Sequence, residues 1–246
     1  MSELWCVRAG EVPYDVARTL QKRLEAARQA GAIADVLLLL EHPAVYTKGR
    51  RTTADELPMG EDWYRMQGID VVETDRGGRV TYHGPGQLVG YPIMSLRAYG
   101  DDVHDYIRRM ERAMIDSLAA HRVATGPIDG LTGVWTLGAR PGENPAGPEA
   151  RKIGSIGVHV NRGVTTHGFA INVNNDLQPF EWIVPCGIEA CRMTSLTREL
   201  GAEQDMDAFM DVVCDRFGEA YGRAPVEVAP QELEARIGGP ASAALR

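Results

Sequence analysis

The run Val36–Leu37–Leu38–Leu39–Leu40 constrains this chain most. Five consecutive aliphatic residues are far too few to cross a bilayer, which takes about 20. Asp35 closes the run on one side and Glu41–His42–Pro43 on the other. A short apolar run bounded in this way is a buried strand. Before it, Pro13–Ala30 spaces Val16, Leu20 and Leu24 at helical intervals, with proline in the first turn and Gly31 as a stop.

The remaining pattern mixes both element types. Thr47–Glu61 is polar and turn-rich and reads as a loop. Val71–Val72 and Arg79–Tyr82 are short strands separated by the turn Asp75–Arg76–Gly77–Gly78, and Leu88–Ile93 is a further strand. Asp101–Ala120 is a helix whose stripe is Val103, Ile107, Met110, Met114 and Leu118. Leu131–Leu137 suggests another strand. Gly138–Ala150, with three prolines and three glycines, is an exposed loop. Lys152–Val160 and Thr166–Val173 form a hairpin about Asn161–Arg162–Gly163. Met206–Tyr221 is a last amphipathic helix. Helices and short, partly antiparallel strands intermingle without a linker, so residues 1–221 read as a single α+β domain. Residues 222–246, rich in Ala, Pro and Gly, read as a tail that is partly ordered at best.

The formal charge of −8 argues against a nucleic-acid backbone as partner, which would call for a basic footprint, while leaving room for a local basic patch. No export signal is apparent at the N-terminus and no membrane span follows, so the expected setting is the cytoplasm, with Cys6, Cys186, Cys191 and Cys214 as free thiols. Cys6 and Cys214 lie in apolar patterns that bury them.

Two residues stand out chemically. Among 26 basic residues only Lys22, Lys48 and Lys152 are lysines, and Lys152 opens the mostly apolar run Lys152–Ile153–Gly154–Ser155–Ile156–Gly157–Val158. Cys186 sits between Pro185 and Gly187, where no apolar period explains its burial. A thiol becomes a strong nucleophile as the thiolate, which a nearby cation favours. Lys152 could supply that cation or, as a neutral amine, take up a proton. The alternatives are a buried loop cysteine and an exposed lysine at a hairpin edge. The densest motif is Arg76–Gly77–Gly78–Arg79–Val80–Thr81–Tyr82–His83–Gly84–Pro85–Gly86–Gln87. It is neither a dinucleotide fingerprint nor a phosphate loop, and taken alone its default reading is a structural turn. His167 precedes Gly168 in a similar setting. Zinc-binding spacings and a Gly-x-Ser-x-Gly elbow are both missing, and the setting of Cys186 is not that of a papain-like protease.

Taken in order, Arg76–Gln87, Lys152–Gly157, Thr166–Val173 and Pro185–Ile188 resemble the octanoyltransferases of lipoate biosynthesis, the lipoyl(octanoyl) transferases, over about residues 10–220. The resemblance implies the α+β fold of biotin and lipoate protein ligases, with mixed, largely antiparallel sheets and flanking helices. It also implies transfer of octanoyl from octanoyl-acyl carrier protein to a lysine of lipoyl domains. Those domains belong to 2-oxoacid dehydrogenase E2 subunits and the glycine cleavage H protein. Cys186 matches the acyl-thioester nucleophile and Lys152 the lysine that lowers its pKa. Arg76, Gly77, Gly78, Arg79, Val80, Thr81, Tyr82 and His83 match residues lining the acyl site, as do Ser155, Ile156, Gly157, Gly168, Phe169 and Ala170. Thioester exchange followed by amide formation needs no cofactor, ATP or metal. Val80, Tyr82, Ile156, Val158 and Phe169 are the expected apolar walls. Arg50, Arg51 and Arg151 are the expected basic patch for an acidic carrier protein. The Gly138–Ala150 stretch is longer than the family's usual turn before this lysine. An ATP-using ligase, a thiol hydrolase and a non-enzymatic lipoyl-domain-binding protein are the alternatives.

Overall fold

The computed structural model describes residues 2–136, 150–185 and 191–238. In chain order the first half forms β1 (Glu3–Glu11), α1 (Tyr14–Gln29), β2 (Asp35–Glu41), β3 (Val45–Lys48), α2 (Glu61–Met66), β4 (Asp70–Glu73), β5 (Thr81–His83), β6 (Gln87–Ile93) and α3 (Val103–Ala120). The second half forms β7 (Thr125–Ile128), β8 (Leu131–Thr136), β9 (Arg151–Asn161), β10 (Val164–Asn172), α4 (Gln178–Glu181), α5 (Leu196–Leu200), α6 (Met206–Tyr221), β11 (Ala224–Glu227) and α7 (Pro230–Arg236). Eight strands make one mixed sheet in the order β11-β1-β2-β6-β10-β9-β8-β7, and β4-β3-β5 make a second. No helix among the described residues is long and apolar enough to cross a membrane.

The aliphatic run forms β2, at the centre of one half of the large sheet. Val36, Leu38 and Leu40 enter one core and Leu37 and Leu39 the other, all of them fully buried. Burial on both faces makes a strand read as an unbroken apolar run rather than an alternating one. Helices α3 and α6 cover one face, with Met110, Met114, Phe209 and Phe217 beneath them. Helix α1 covers the other face through Ala17, Leu20 and Leu24, joined by Leu233 of α7. The small sheet builds a third core from Tyr46, Val80 and Tyr82 against Tyr64 of α2 and Phe180 of α4.

Local signals explain the ends of these elements. Asp102 and Asp205 accept hydrogen bonds from first-turn N–H groups of α3 and α6, and Gly222 ends α6 at φ 63°. Asn161 pairs with Val164 across the β9–β10 hairpin, leaving Arg162 (φ 50°) and Gly163 (φ 77°) as its two turn residues. Two successive positive φ angles are the type I′ geometry that matches strand twist.

Some expectations differ from the structure. The loop expected over Thr47–Glu61 gives its first residues to β3 and its last to α2. Periodicity does not predict strands β1 and β7, yet both are paired. The segment expected as a loosely ordered tail forms β11 and α7 before residue 238. Strand β11 runs parallel to β1, and Arg236 of α7 lies over the Trp5 ring at 4.3 Å. Arg223, just ahead of β11, joins Arg28 on the buried Asp35 carboxylate at 3.0 and 2.8 Å. The Gly138–Ala150 loop lies outside the described residues except for Ala150.

Candidate active site

A cavity of about 170 Å³ lies between the large sheet and the edge of the small one. Its floor is two rungs of the large sheet. Val89, Ala170 and Ser155 form the first, and Gly168 opposite Gly157 the second. Small residues at these positions leave open a space that larger side chains would fill. Thr81 and His83 of β5, Arg76 and Arg79 form the opposite side, with Tyr14, Tyr91 and His167 also bordering the space.

Strand alternation sorts the residues expected here. Arg76, Gly78, Arg79, Thr81, His83, Lys152, Ser155, Ile156, Gly157, Gly168, Phe169 and Ala170 border the cavity. Val80 and Tyr82 do not. They alternate with Thr81 and His83 along the chain and so enter the third core instead. Ile156 and Phe169 border the cavity, but their side chains pack on the opposite face of the sheet. There Phe169 stacks on Phe217 with ring centroids 4.7 Å apart, and Val158 joins the same core. Of the expected apolar walls, Val80, Tyr82 and Val158 do not border the cavity, whereas Val89, Leu131 and Ala170 do. Gly77 has a docking role: its N–H donates to the Val158 carbonyl at 2.9 Å. A Cβ on Gly157 would lie 2.9 Å from the Gly77 carbonyl oxygen, so the glycine permits this approach of two backbones.

Lys152 is buried. Its Nζ donates to the Thr132 carbonyl at 3.1 Å and lies 5.2 Å from the Trp135 ring centroid. Its main chain pairs with the segment that follows residue 190: Lys152 N–H donates to Arg192 O at 2.8 Å, and Thr194 N–H to Lys152 O at 3.0 Å. At the other end of that connection, Val184 N–H donates to Glu56 O at 3.0 Å, and the Glu56 carboxylate binds Arg79. Cys186, with Gly187 and Ile188, lies outside the described residues. Both flanks of its segment are thus tied to elements that wall the cavity. Two of the described thiols, Cys6 and Cys214, are poor candidates for a nucleophile. Cys6 and Cys214 are buried in the core, and a hydrogen bond with Cys214 together with burial pushes the Cys6 thiol far up.

His42, His83 and His167 are held neutral. His42 bonds Val12 O through Nδ1 at 2.6 Å and Tyr91 Oη through Nε2 at 2.7 Å, which assigns the proton to Nδ1. Burial pushes its pKa down to about 4. Gln87 donates through Nε2 to Tyr82 O and Asn172 Oδ1, so its Oε1 accepts from His83 Nδ1 at 2.7 Å. Burial, helped by His42, holds His83 well below the usual range. His167 has the left-handed φ of 56°, and its Nε2 lies 2.7 Å from Asp75 Oδ1. That bond holds the Asp75 carboxyl well below its ordinary range, while burial lowers His167.

Buried neutral histidines make the fold acid-sensitive. An unfolded histidine titrates near 6.5, so His42 contributes stability in full above that pH and loses it as pH falls toward about 4. The separation corresponds to roughly 3 kcal/mol. We expect the melting temperature to fall steadily between pH 6.5 and 4.5; a flat profile would contradict the burial of His42 as the neutral form.

Tyr14, Tyr91, Leu131 and Thr132 are not marked by any motif, because each reaches the cavity only through tertiary packing, and Arg51 is expected only in the basic patch. His167 carried one signal, its place before Gly168.

Residues 13–218 match the lipoyl protein ligase A/B catalytic domain, and the chain belongs to that family. Its sequence places it with the family's octanoyltransferases. It is 41% identical over 230 residues to an octanoyltransferase of Myxococcus xanthus, covering 94% of this chain and 63% of that protein. It is 50% identical over 198 residues to an octanoyltransferase of Mycobacterium tuberculosis, covering 80% of this chain and 78% of that one. A bipartite lipoate protein ligase from an archaeal lipoylation system of Thermoplasma acidophilum has the same fold, with a TM-score of 0.71 at 18% identity. That alignment covers 96% of this chain and 91% of the other.

Proposed function

We propose that the chain transfers octanoyl from octanoyl-acyl carrier protein to a lysine of lipoyl domains, in E2 subunits and the glycine cleavage H protein, through a thioester on Cys186. The observation that carries this reading is Lys152: a buried lysine bordering the cavity, its main chain hydrogen-bonded to the segment that follows Cys186. The Cys186 thiolate attacks the carrier-bound thioester carbonyl, and the carrier's thiol leaves with a proton. The lipoyl-domain amine then attacks the Cys186 thioester, forming the amide and releasing the Cys186 sulfur. Lys152 stabilises the thiolate in the first half and takes the amine's proton in the second. The octanoyl chain lies over the small-residue floor of Ser155, Gly157 and Ala170. The reaction belongs in the cytoplasm, where carrier and acceptors meet, and draws on no cofactor.

Intact-protein mass spectrometry after mixing the enzyme with octanoyl-acyl carrier protein tests the intermediate. We expect an octanoyl adduct on Cys186, absent in Cys186→Ser and discharged by lipoyl domain. Octanoylated lipoyl domain formed only from free octanoate and ATP would make the chemistry a ligase's.

Carrier docking falls to Arg50 and Arg51. Arg50 is exposed, Arg51 borders the cavity, and their N–H groups dock on Arg76 O and Gly78 O. Arg151 is spent differently, binding both carboxylate oxygens of Glu199 at 3.1 and 2.9 Å. Reversing both charges, Arg50→Glu with Arg51→Glu, should raise KM for the carrier-bound donor about tenfold with less effect on kcat. An unchanged KM removes these residues from the docking surface.

A further inference from the structure

One peptide group joins α3 to the cavity lysine. The Thr132 carbonyl accepts from Lys152 Nζ at 3.1 Å, and the N–H of that same peptide, on Gly133, donates to Glu111 Oε1 of α3 at 3.0 Å. A carboxylate on the N–H side polarises the peptide and strengthens its carbonyl as an acceptor. The β8–β9 register shifts between Val134 and Trp135, so the ladder is irregular next to this peptide. Gly133 has φ +124°, a backbone conformation that side chains resist. A Cβ there would lie 2.5 Å from Gly154 O, 2.8 Å from Lys152 Cε and 3.2 Å from Lys152 Nζ. The end of the lysine side chain occupies the place where a residue-133 side chain would stand.

We propose that Gly133 and Glu111 are positioning residues for Lys152: the glycine leaves the hollow that its chain end fills, and the glutamate aims the Thr132 carbonyl that holds its ammonium. Their effect on transfer runs through Lys152, and the proposal rests on the pairing of Lys152 with Cys186 described above. Neither residue belongs to the motifs that mark the acyl site, and Glu111 does not border the cavity. Among the described residues, the charged and titratable groups on the surrounding elements include Glu111 on α3, Arg151 on β9 held by Glu199 of α5, and Arg51, Arg76, Arg79, His83 and His167 around the cavity. Of these, only the Glu111 carboxylate is bound to the peptide that holds Nζ.

The test is the pH dependence of Cys186 alkylation by iodoacetamide, followed by peptide mass spectrometry on the full chain, beside steady-state octanoyl transfer. Gly133→Ala and Glu111→Leu should each slow alkylation at neutral pH about tenfold, the change of one unit in thiol pKa. Their kcat should fall by at least as much while KM for the carrier-bound donor stays within about twofold. Glu111→Gln keeps an oxygen to accept from Gly133 but loses the charge, and should recover most of the wild-type alkylation rate. Lys152→Met is the reference. If it slows alkylation and the other two do not, the positioning role is overturned and the Cys186–Lys152 reading stands. If Lys152→Met itself leaves alkylation unchanged, that reading fails and the positioning role falls with it. Should Gly133→Ala not fold, the contrast between Glu111→Leu and Glu111→Gln decides.

Discussion

Replacing Lys152 with methionine should lower kcat/KM for octanoyl transfer by about a thousandfold, within the range a positioned acid–base group supplies. Methionine keeps an unbranched stem for the hollow beside Gly133 and Trp135, so the fold should hold and the melting temperature change little. What disappears is the group that stabilises the thiolate and takes the amine's proton. Arginine should not rescue it. A guanidinium is planar and bulkier than an ammonium and does not give up its proton, and Gly133 leaves room for a chain end only. The measurement is octanoylated lipoyl domain by mass spectrometry, with a thermal melt as control. Transfer within tenfold of wild type would remove Lys152 from the chemistry.

The second large effect concerns the shape of the cavity. Ala170 sits between Val89 and Ser155 on the floor rung, and Ala170→Leu pushes an isobutyl group into the open space. Each methylene of a bound chain is worth about 1–3 kcal/mol in discrimination, so losing room for two should cut octanoyl transfer about a hundredfold. Butanoyl transfer should fall less than about fivefold, since a short chain stops before the obstruction. Phe169→Leu is the matched control one residue away. Its ring points to the opposite face against Phe217, so the change should cost about 1 kcal/mol of stability and leave chain-length preference alone. Kinetics with carrier-bound acyl chains of graded length separate the two. A uniform loss across all lengths in Ala170→Leu would mean that the acyl chain does not lie over this rung.

Legibility from sequence followed how local each signal is. The central strand, the α1, α3 and α6 helices and the β9–β10 hairpin carry their own periodicity, caps and turn residues, and they occur close to where those signals put them. Strand β1 was not legible because its apolar stretch, Leu4 to Val7, is short and then turns polar toward Glu11. Its structure comes from β2 on one side and β11 on the other. Likewise α7 has seven residues, too few to persist alone, and depends on burying Leu233 against the α1 side of the sheet. At the site, the motif located the cavity's walls but not which side chains face it. That depends on a period of two measured from a register only the folded sheet defines. Hence Thr81 and His83 point in while Val80 and Tyr82 point away.

The pairing of Glu3 with Ala224 joins residues 221 positions apart, whereas Leu4 meets Asp35 across only 31. Nearby contacts close early and distant ones late, because loop-closure entropy must be overcome first. During folding β1 therefore docks on β2 with its outer edge still bare, and that edge waits for the far end of the chain. A bare edge is a template for any other extended strand. The edge of β1 is therefore where pairing with a foreign strand has its opening until β11 arrives. The short strand after Gly222 is what brings that exposure to an end.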